Sequence, residues 1–148
     1  MKFDRRSLIK GALAISATFA LPKMLFAARP DKAFQSTDAA GAIAELFGDT
    51  ATASDQVTMK IPDIAENGAV VPVTVSTDIE NVESISLLVV NNPTPLASTV
   101  NFGPRSLPNV SVRIKMGQSS PVIAIVKADG KLYSTEKEVK VTIGGCGG

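Results

Sequence analysis

The sequence predicts a mainly β fold, an immunoglobulin-like antiparallel β-sandwich of about seven strands with one short N-terminal helix and a flexible C-terminal arm. From Gln56 onward, apolar and polar residues alternate with a period of two, as in strands with one buried face. Turn signals such as Asn67-Gly68 and Asp129-Gly130 separate these runs. The 148 residues are 45% hydrophobic and 20% charged, which suits a single domain with a real core. With one cysteine and no tryptophan, the chain lacks the Cys…Trp…Cys pattern of antibody domains.

Residues 1–28 are predicted to be a twin-arginine signal peptide. Arg5 and Arg6 precede an apolar run over 11–21, and small residues around Ala28 suit cleavage. The run of about 11 residues is shorter than the ~20 needed to span a bilayer. We therefore expect export to the periplasm and no membrane segment in the mature form. The predicted organisation is a signal over 1–28, a sandwich domain with its helix over 29–143, and an arm over 144–148.

Composition excludes several classes of function. Without residues 1–28, Lys and Arg fall from 15 to 10 and Asp and Glu from 14 to 13, so the mature chain is near −3. This mildly acidic balance argues against nucleic acid as a partner. The chain has no histidine, so Ser-His and Cys-His pairs are excluded, and one cysteine cannot form a thiolate zinc site. We expect neither a metal nor a cofactor.

One short helix is predicted over residues 33–47. Asp38 is suited to cap it and Gly48 to end it. The residues that follow, 49–54, are interpreted as a polar link. The apolar side chains Ile43, Leu46 and Phe47 fall on one face, which predicts packing against the rest of the domain.

Seven strands are predicted after this link. The run 121–126 is apolar throughout, which is typical of a central strand covered on both faces. Pro72 cannot donate a ladder hydrogen bond and is assigned to an edge strand or a bulge, whereas Ser119 and Ser120 are interpreted as a turn only. The predicted strands are 57–61, 71–76, 84–90, 96–102, 110–116, 121–126 and 131–143.

The last five residues are Gly144, Gly145, Cys146, Gly147 and Gly148, and Cys146 is the only cysteine. Glycines resist burial in regular structure, and chain ends are poorly ordered unless they are tied down. The tail is therefore predicted to be a flexible arm with one thiol, which reaches roughly 10 Å beyond the last strand.

The thiol of Cys146 is placed for transport of a group rather than for catalysis. The nearest cationic side chain in the sequence, Lys140, is six residues back, and the C-terminal carboxylate disfavours the thiolate. Alternatives are a leftover thiol in a frayed tail, a buried apolar side chain, or an intermolecular disulfide in a structural sandwich protein. A ubiquitin-like carrier activated at Gly148 would need adenylation by ATP, which the export signal makes implausible.

A strand that ends Val-x-Val-Thr-Ile and continues into Gly-Gly-Cys-Gly-Gly at the C-terminus resembles the SoxY family, the sulfur-carrier subunits of the bacterial Sox thiosulfate-oxidising system. The resemblance implies a non-catalytic carrier with sulfur covalently bound to Cys146. It also implies a heterodimer with SoxZ, a second immunoglobulin-like protein. The c-type cytochrome SoxAX would join thiosulfate to Cys146 oxidatively, the hydrolase SoxB would release sulfate, and the sulfane dehydrogenase SoxCD would oxidise the remaining sulfur.

Overall fold

The computed structural model describes residues 29–142. The predicted signal peptide, with Arg5 and Arg6, lies outside this range, and so does the predicted arm over 144–148. The described part is a sandwich of two β-sheets with helices on one outer face, which confirms the predicted fold class.

The larger sheet has the strand order β1-β9-β8-β5-β6, and β3 also pairs with β9. The smaller sheet has the order β2-β4-β7. Neighbouring strands are antiparallel, except that β1 and β3 run parallel to β9. The strands are β1 Thr52–Ala53, β2 Val57–Lys60, β3 Ile64–Ala65, β4 Val71–Thr77, β5 Val82–Val89, β6 Leu96–Asn101, β7 Asn109–Ile114, β8 Ser120–Ala128 and β9 Lys131–Val141.

All seven predicted strands are present, and two further strands, β1 and β3, have two residues each. They are too short to show an alternating pattern and so could not be predicted. The chain passes from the smaller sheet to the larger one between β2 and β3. Lys137 on β9 fixes this crossing, because its Nζ donates to the carbonyl of Ile61 at 3.1 Å and pairs with Asp63 at 2.8 Å.

Strand β8 is covered on both faces, as its apolar run predicted. Val122, Ala124 and Val126 belong to the core between the two sheets. Ile123 and Ile125 belong to a second apolar cluster beneath the helices on the outer face. Strand β8 is joined to its neighbour β9 by Asp129-Gly130. The φ angles of these two residues, 48° and 71°, fit the predicted two-residue hairpin turn.

The predicted helix over 33–47 is divided into α1, Asp31–Gln35, and α2, Ala39–Phe47. The division lies at Ser36, whose extended conformation (φ −61°, ψ 137°) ends the first helix. Asp38 then caps the second helix, because its Oδ1 accepts a hydrogen bond from the backbone N–H of Gly41 at 2.7 Å. Gly48 ends α2 in the left-handed conformation at φ 67°, as predicted.

The sequence assigns Pro72 to an edge strand or a bulge; it lies on neither, but one of its sides is unpaired. Pro72 lies on β4, which is the middle strand of the smaller sheet. Strand β2 ends at Lys60, which pairs with Thr74, so Pro72 has a neighbouring strand only on the side of Arg113. A missing N–H is tolerated there because the sheet is locally two-stranded.

In the part of the chain that the structure describes, no helix is long and apolar enough to cross a membrane.

Candidate functional site

The predicted arm follows the C-terminal end of β9, and the described residues there, Lys140, Val141 and Thr142, are called the arm root below. On one side the root is held by the segment that contains β3. The backbone N–H of Lys140 donates to the carbonyl of Asp63 at 2.9 Å, and that of Thr142 donates to the carbonyl of Ala65 at 3.1 Å. The backbone therefore stays hydrogen-bonded up to the last residue that the structure describes.

On its other side the root is held by a side chain. The hydroxyl oxygen of Ser119, in the turn between β7 and β8, accepts a hydrogen bond from the backbone N–H of Val141 at 2.9 Å. Ser120, which is fully buried, accepts from the N–H of Asn91 at 2.9 Å and donates to the carbonyl of Pro121 at 2.8 Å. The interpretation of these two serines as a turn is wrong for Ser120, which is the first residue of β8 and pairs with Val139. It is incomplete for Ser119, whose side chain also connects the turn to the arm root.

Gly68 lies where only a glycine fits. A Cβ atom on Gly68 would lie 2.3 Å from the carbonyl oxygen of Met116 and 3.0 Å from Cγ1 of Val141. The carbonyl of Gly68 also accepts a hydrogen bond from the N–H of Met116 at 2.7 Å. The Asn67-Gly68 turn signal in the sequence thus marks a close approach of the β3–β4 loop to the arm root as well as a turn.

Side-chain amides connect the loops at this end of the sandwich. Asn91 donates through Nδ2 to the carbonyl of Ser119 at 3.0 Å, and its own carbonyl accepts from Nε2 of Gln118 at 3.1 Å. Asn92 bridges two points of the β7–β8 loop: its Nδ2 donates to the carbonyl of Lys115 at 2.7 Å, and its Oδ1 accepts from the N–H of Gly117 at 3.0 Å. The loop that holds the root is itself held in one geometry.

Sequence reasoning did not identify this amide network. Asparagine, glutamine and serine are common in loops, so composition alone does not separate a structural network from ordinary turn chemistry. Asn92 and Lys115 are 23 residues apart, and Ser119 and Val141 are 22 residues apart. The only available signal was the density of such residues in the loops that follow β5 and β7.

A carboxylate with a perturbed pKa lies away from the arm root. The pKa of Glu83 is lowered by a hydrogen bond from Lys127, whose Nζ is 2.8 Å from Oε2, and then by the backbone N–H of Gly130. This pair is next to the β8–β9 turn, at the opposite end of β9 from the root. Within residues 29–142, no group of three or more His, Cys, Asp or Glu could hold a metal ion.

The predicted site residues, Cys146 with Gly144, Gly145, Gly147 and Gly148, lie outside the described residues. What the structure adds is their attachment point. In a fully extended chain, Cys146 would be at most roughly 14 Å from Thr142. A sulfur group on Cys146 would therefore be tethered to the hydrogen-bonded root by three residues, Ile143 and two glycines.

A family model described as "Sulfur oxidation protein SoxY" matches residues 43–146 of this chain. The chain is also similar to a solved structure, "Structure of the sulfur carrier protein SoxY from Chlorobium limicola f thiosulfatophilum". The two share 43% sequence identity with a TM-score of 0.63, over 69% of this chain and 94% of that one. The human F-spondin reeler domain also matches, at 13% identity and a TM-score of 0.39, over 61% of this chain and 95% of that one. No curated protein matches.

Proposed function

The chain belongs to the SoxY family of sulfur-oxidation proteins, and on that premise we propose that it is a periplasmic carrier of thiosulfate-derived sulfur on Cys146. The observation that carries the proposal is the extent of the family match, which continues beyond the described residues and ends at residue 146. That residue is the only thiol in the chain. The similar protein of known structure is named a sulfur carrier protein.

The proposed loading step joins the Cys146 thiolate to the outer sulfur of thiosulfate. One sulfur–sulfur bond forms, a cysteine S-thiosulfonate results, and two electrons pass to a c-type cytochrome partner. Water then attacks the terminal sulfur in a hydrolase, sulfate leaves with release of protons, and a persulfide remains on Cys146. A further partner then accepts six electrons from this outer sulfur while three water molecules supply its oxygens, which gives a cysteine S-sulfonate. A second hydrolysis releases this group as sulfate and returns the thiol.

The geometry of the arm root suits a protein that holds the sulfur group while partner enzymes perform the chemistry. A carrier must present its group at a defined place while partner enzymes supply the reactive groups. The hydrogen bonds from Lys140, Val141 and Thr142 fix where the tether starts. Glycines on both sides of Cys146 add no bulk that would obstruct a narrow active-site channel.

The proposal includes SoxZ as a stable partner and SoxAX, SoxB and SoxCD as transient ones. Strands β6 and β7 each lie at one edge of their sheets, and strand edges without a partner favour pairing with a second sandwich. Obligate interfaces commonly bury ~2,000 Å² or more. Untagged protein should purify with a second chain, and a monomer at micromolar concentration in sizing experiments would contradict this part.

The carrier function is tested by the intact mass of the protein from periplasm, before and after a thiol reductant. A carrier from cells grown on thiosulfate should show mass gains that correspond to sulfur or thiosulfonate on Cys146 and that disappear on reduction. The alternative, a structural sandwich joined through an intermolecular disulfide, predicts a doubled mass that reduction halves. An unmodified monomer in both states would contradict the carrier proposal.

A further inference from the structure

A cavity of about 540 Å³ lies at the same end of the sandwich as the arm root, between the β5–β6 loop and the end of β7. Buried Leu96 and Ile114 give it an apolar lining, and each is only 4% exposed. Asn92 and Thr94 add neutral polar groups. The exposed side chains of Arg113 and Lys115 complete it, and we call this space the cationic cavity.

The charge of this cavity is of one sign. Its lining, taken from the described residues, includes Arg113 and Lys115 and no carboxylate. Neither cation forms an ion pair with any acidic side chain of residues 29–142. Two unneutralised cations among the residues that line one concave space raise the local concentration of anions.

Other cavities of the described chain have different electrostatics. The one of about 770 Å³ at the far end is lined by Asp78, Glu80 and Glu83, which would repel an anion. The one of about 500 Å³ beside α2 includes Asp49 and Glu136. A third, of about 480 Å³, includes Lys60 and Lys137 but no acid, and its Lys137 already pairs with Asp63 at 2.8 Å.

The wall of the cationic cavity is held in place before any ligand enters. Asn92 joins the carbonyl of Lys115 to the N–H of Gly117, so the backbone that follows Lys115 is tied to the β5–β6 loop. The backbone of Arg113 is fixed by the ladder between β7 and β4, in which Arg113 pairs with Pro72. A preorganised site loses less entropy on binding than one that must form around its ligand.

The cavity also lies near the attachment point of Cys146. Gly117 in its wall is two residues before Ser119, whose hydroxyl binds the N–H of Val141. A thiosulfonate on Cys146 ends in a negatively charged sulfonate, and thiosulfate carries the same tetrahedral oxyanion group. Arginine and lysine, the two cations here, are the usual protein donors to such oxyanions.

We propose that the cationic cavity, with Arg113 and Lys115 as its charged donors, binds the sulfonate group of a sulfur oxyanion. The ligand is either free thiosulfate or the thiosulfonate on Cys146, and its identity rests on the proposed carrier function. Asn92 positions the wall, and Thr94 is a neutral polar group within it. The site holds the anion non-covalently, so no bond to sulfur forms or breaks there.

The test is a titration of ¹⁵N-labelled full-length mature protein with thiosulfate, and with sulfate as a second probe, followed by NMR. The Cys146→Ser protein reports free anion, and wild-type protein loaded with thiosulfonate and freed of excess reagent reports the covalent adduct. We expect the signals of the Asn92 side-chain amide and the Gly117 N–H to shift in at least one of these two experiments, saturably with free anion or on loading with the adduct. The experiment in which these signals shift identifies the source of the sulfonate.

The decisive variant is Arg113→Gln/Lys115→Gln, and its matched control is Arg105→Gln/Lys131→Gln, which removes two exposed cations at the opposite end. The first pair should weaken binding of the free anion about tenfold or more, or abolish the adduct-dependent shifts, whereas the control should change binding less than about twofold. Equal effects of the two double variants, or no shift of these signals in either experiment, would overturn the site. Intact mass on the same samples reports loading of Cys146, so failure of the cavity is distinguishable from failure of the carrier function.

Discussion

The hydroxyl oxygen of Ser119 lies 2.9 Å from the backbone nitrogen of Val141, and this hydrogen bond ties the last residue of β9 to the β7–β8 loop. Strand β8 begins at Ser120, opposite Val139, so no strand lies beside the N–H of Val141 on that side. The side chain of Ser119 accepts the hydrogen bond there instead. The point at which the arm leaves the sandwich therefore depends on one serine as well as on the sheet.

Replacing Ser119 by alanine should loosen the arm root without unfolding the domain. The lost hydrogen bond is exposed, so water can take its place, and we expect a loss of about 0.5–1.5 kcal/mol in the free energy of unfolding. Hydrogen exchange at the Val141 amide should become faster, while exchange in β8 stays slow. Ser106→Ala is the matched control, since Ser106 accepts from the N–H of Gly103 at the far end of the sandwich. Unchanged exchange at Val141 would contradict the role of Ser119.

Replacing Gly68 by alanine should destabilise the domain by about 1–3 kcal/mol, as overpacking does in other cores. The added Cβ would lie 2.3 Å from the carbonyl oxygen of Met116, and backbone atoms cannot move aside cheaply. Gly103→Ala is the control, because its nearest contact would be Oγ of Ser106 at 3.7 Å. Urea unfolding of both variants measures the difference, and equal stabilities would show that the β3–β4 loop adapts.

Much of this fold could be predicted because local sequence signals decided it. The Asp129-Gly130 pair predicted a tight hairpin, and the apolar run of β8 predicted a strand covered on both faces. The break at Ser36 was missed, since apolar spacing continues across it. Pro72 lies on the middle strand β4 and not on an edge strand, and the early end of β2, which leaves one side of Pro72 open, depends on tertiary structure.

Of the candidate site, the sequence alone pointed only to the tail, whose residues lie outside the described range. The thiol and its glycines were recognisable because they form a contiguous motif. The root and the cationic cavity depend on hydrogen bonds and charges brought together from β7, β9 and three loops. A single sequence does not show such pairings, because each partner is an ordinary residue for its own segment.

The ion pair of Glu83 with Lys127 predicts a specific pH dependence. The pKa of Glu83 is lowered in the folded state, chiefly by the hydrogen bond from Lys127, so its contribution to stability is present above its unfolded pKa and is lost as the pH falls through its folded pKa. Wild type should therefore be more stable than Glu83→Gln at neutral pH, and the two should converge in acid. Glu45→Gln is the control for an exposed carboxylate on α2. Urea unfolding across the acid range decides, and a difference that persists at the lowest pH would contradict this account.

Replacing both Arg5 and Arg6 by lysine should prevent export. The twin-arginine pattern is the feature on which the predicted route depends, and the substitution keeps the positive charge. Cell fractionation should find the variant in the cytoplasm with its residues 1–28 retained, whereas wild type should be in the periplasm with a mature N-terminus near Ala28 or Arg29. Normal amounts of processed variant in the periplasm would rule out this export route.

Replacing Cys146 by serine should abolish thiosulfate oxidation and leave the fold intact. No apolar residue follows Ile143, so the free energy of unfolding should change by less than ~0.5 kcal/mol, the usual range for surface sites. Serine keeps the length of the arm, but its hydroxyl cannot form the sulfur–sulfur bond that loading requires. The companion variant Gly145→Val keeps the thiol and should still accept a chemically added adduct, but it should slow turnover because the branched side chain adds bulk and stiffens the arm.

Thermal unfolding, adduct mass and thiosulfate-dependent electron transfer should be measured for both arm variants, together with Ser119→Ala. The serine variant should lose turnover completely, the valine variant should lose rate but not adduct, and Ser119→Ala should keep adduct formation because its thiol is untouched. These different outcomes distinguish the role of the sulfur atom from the roles of arm flexibility and of the root. Turnover at the wild-type rate with serine at position 146 would mean that another group carries the sulfur, and since the chain has no second thiol, the carrier proposal itself would fail.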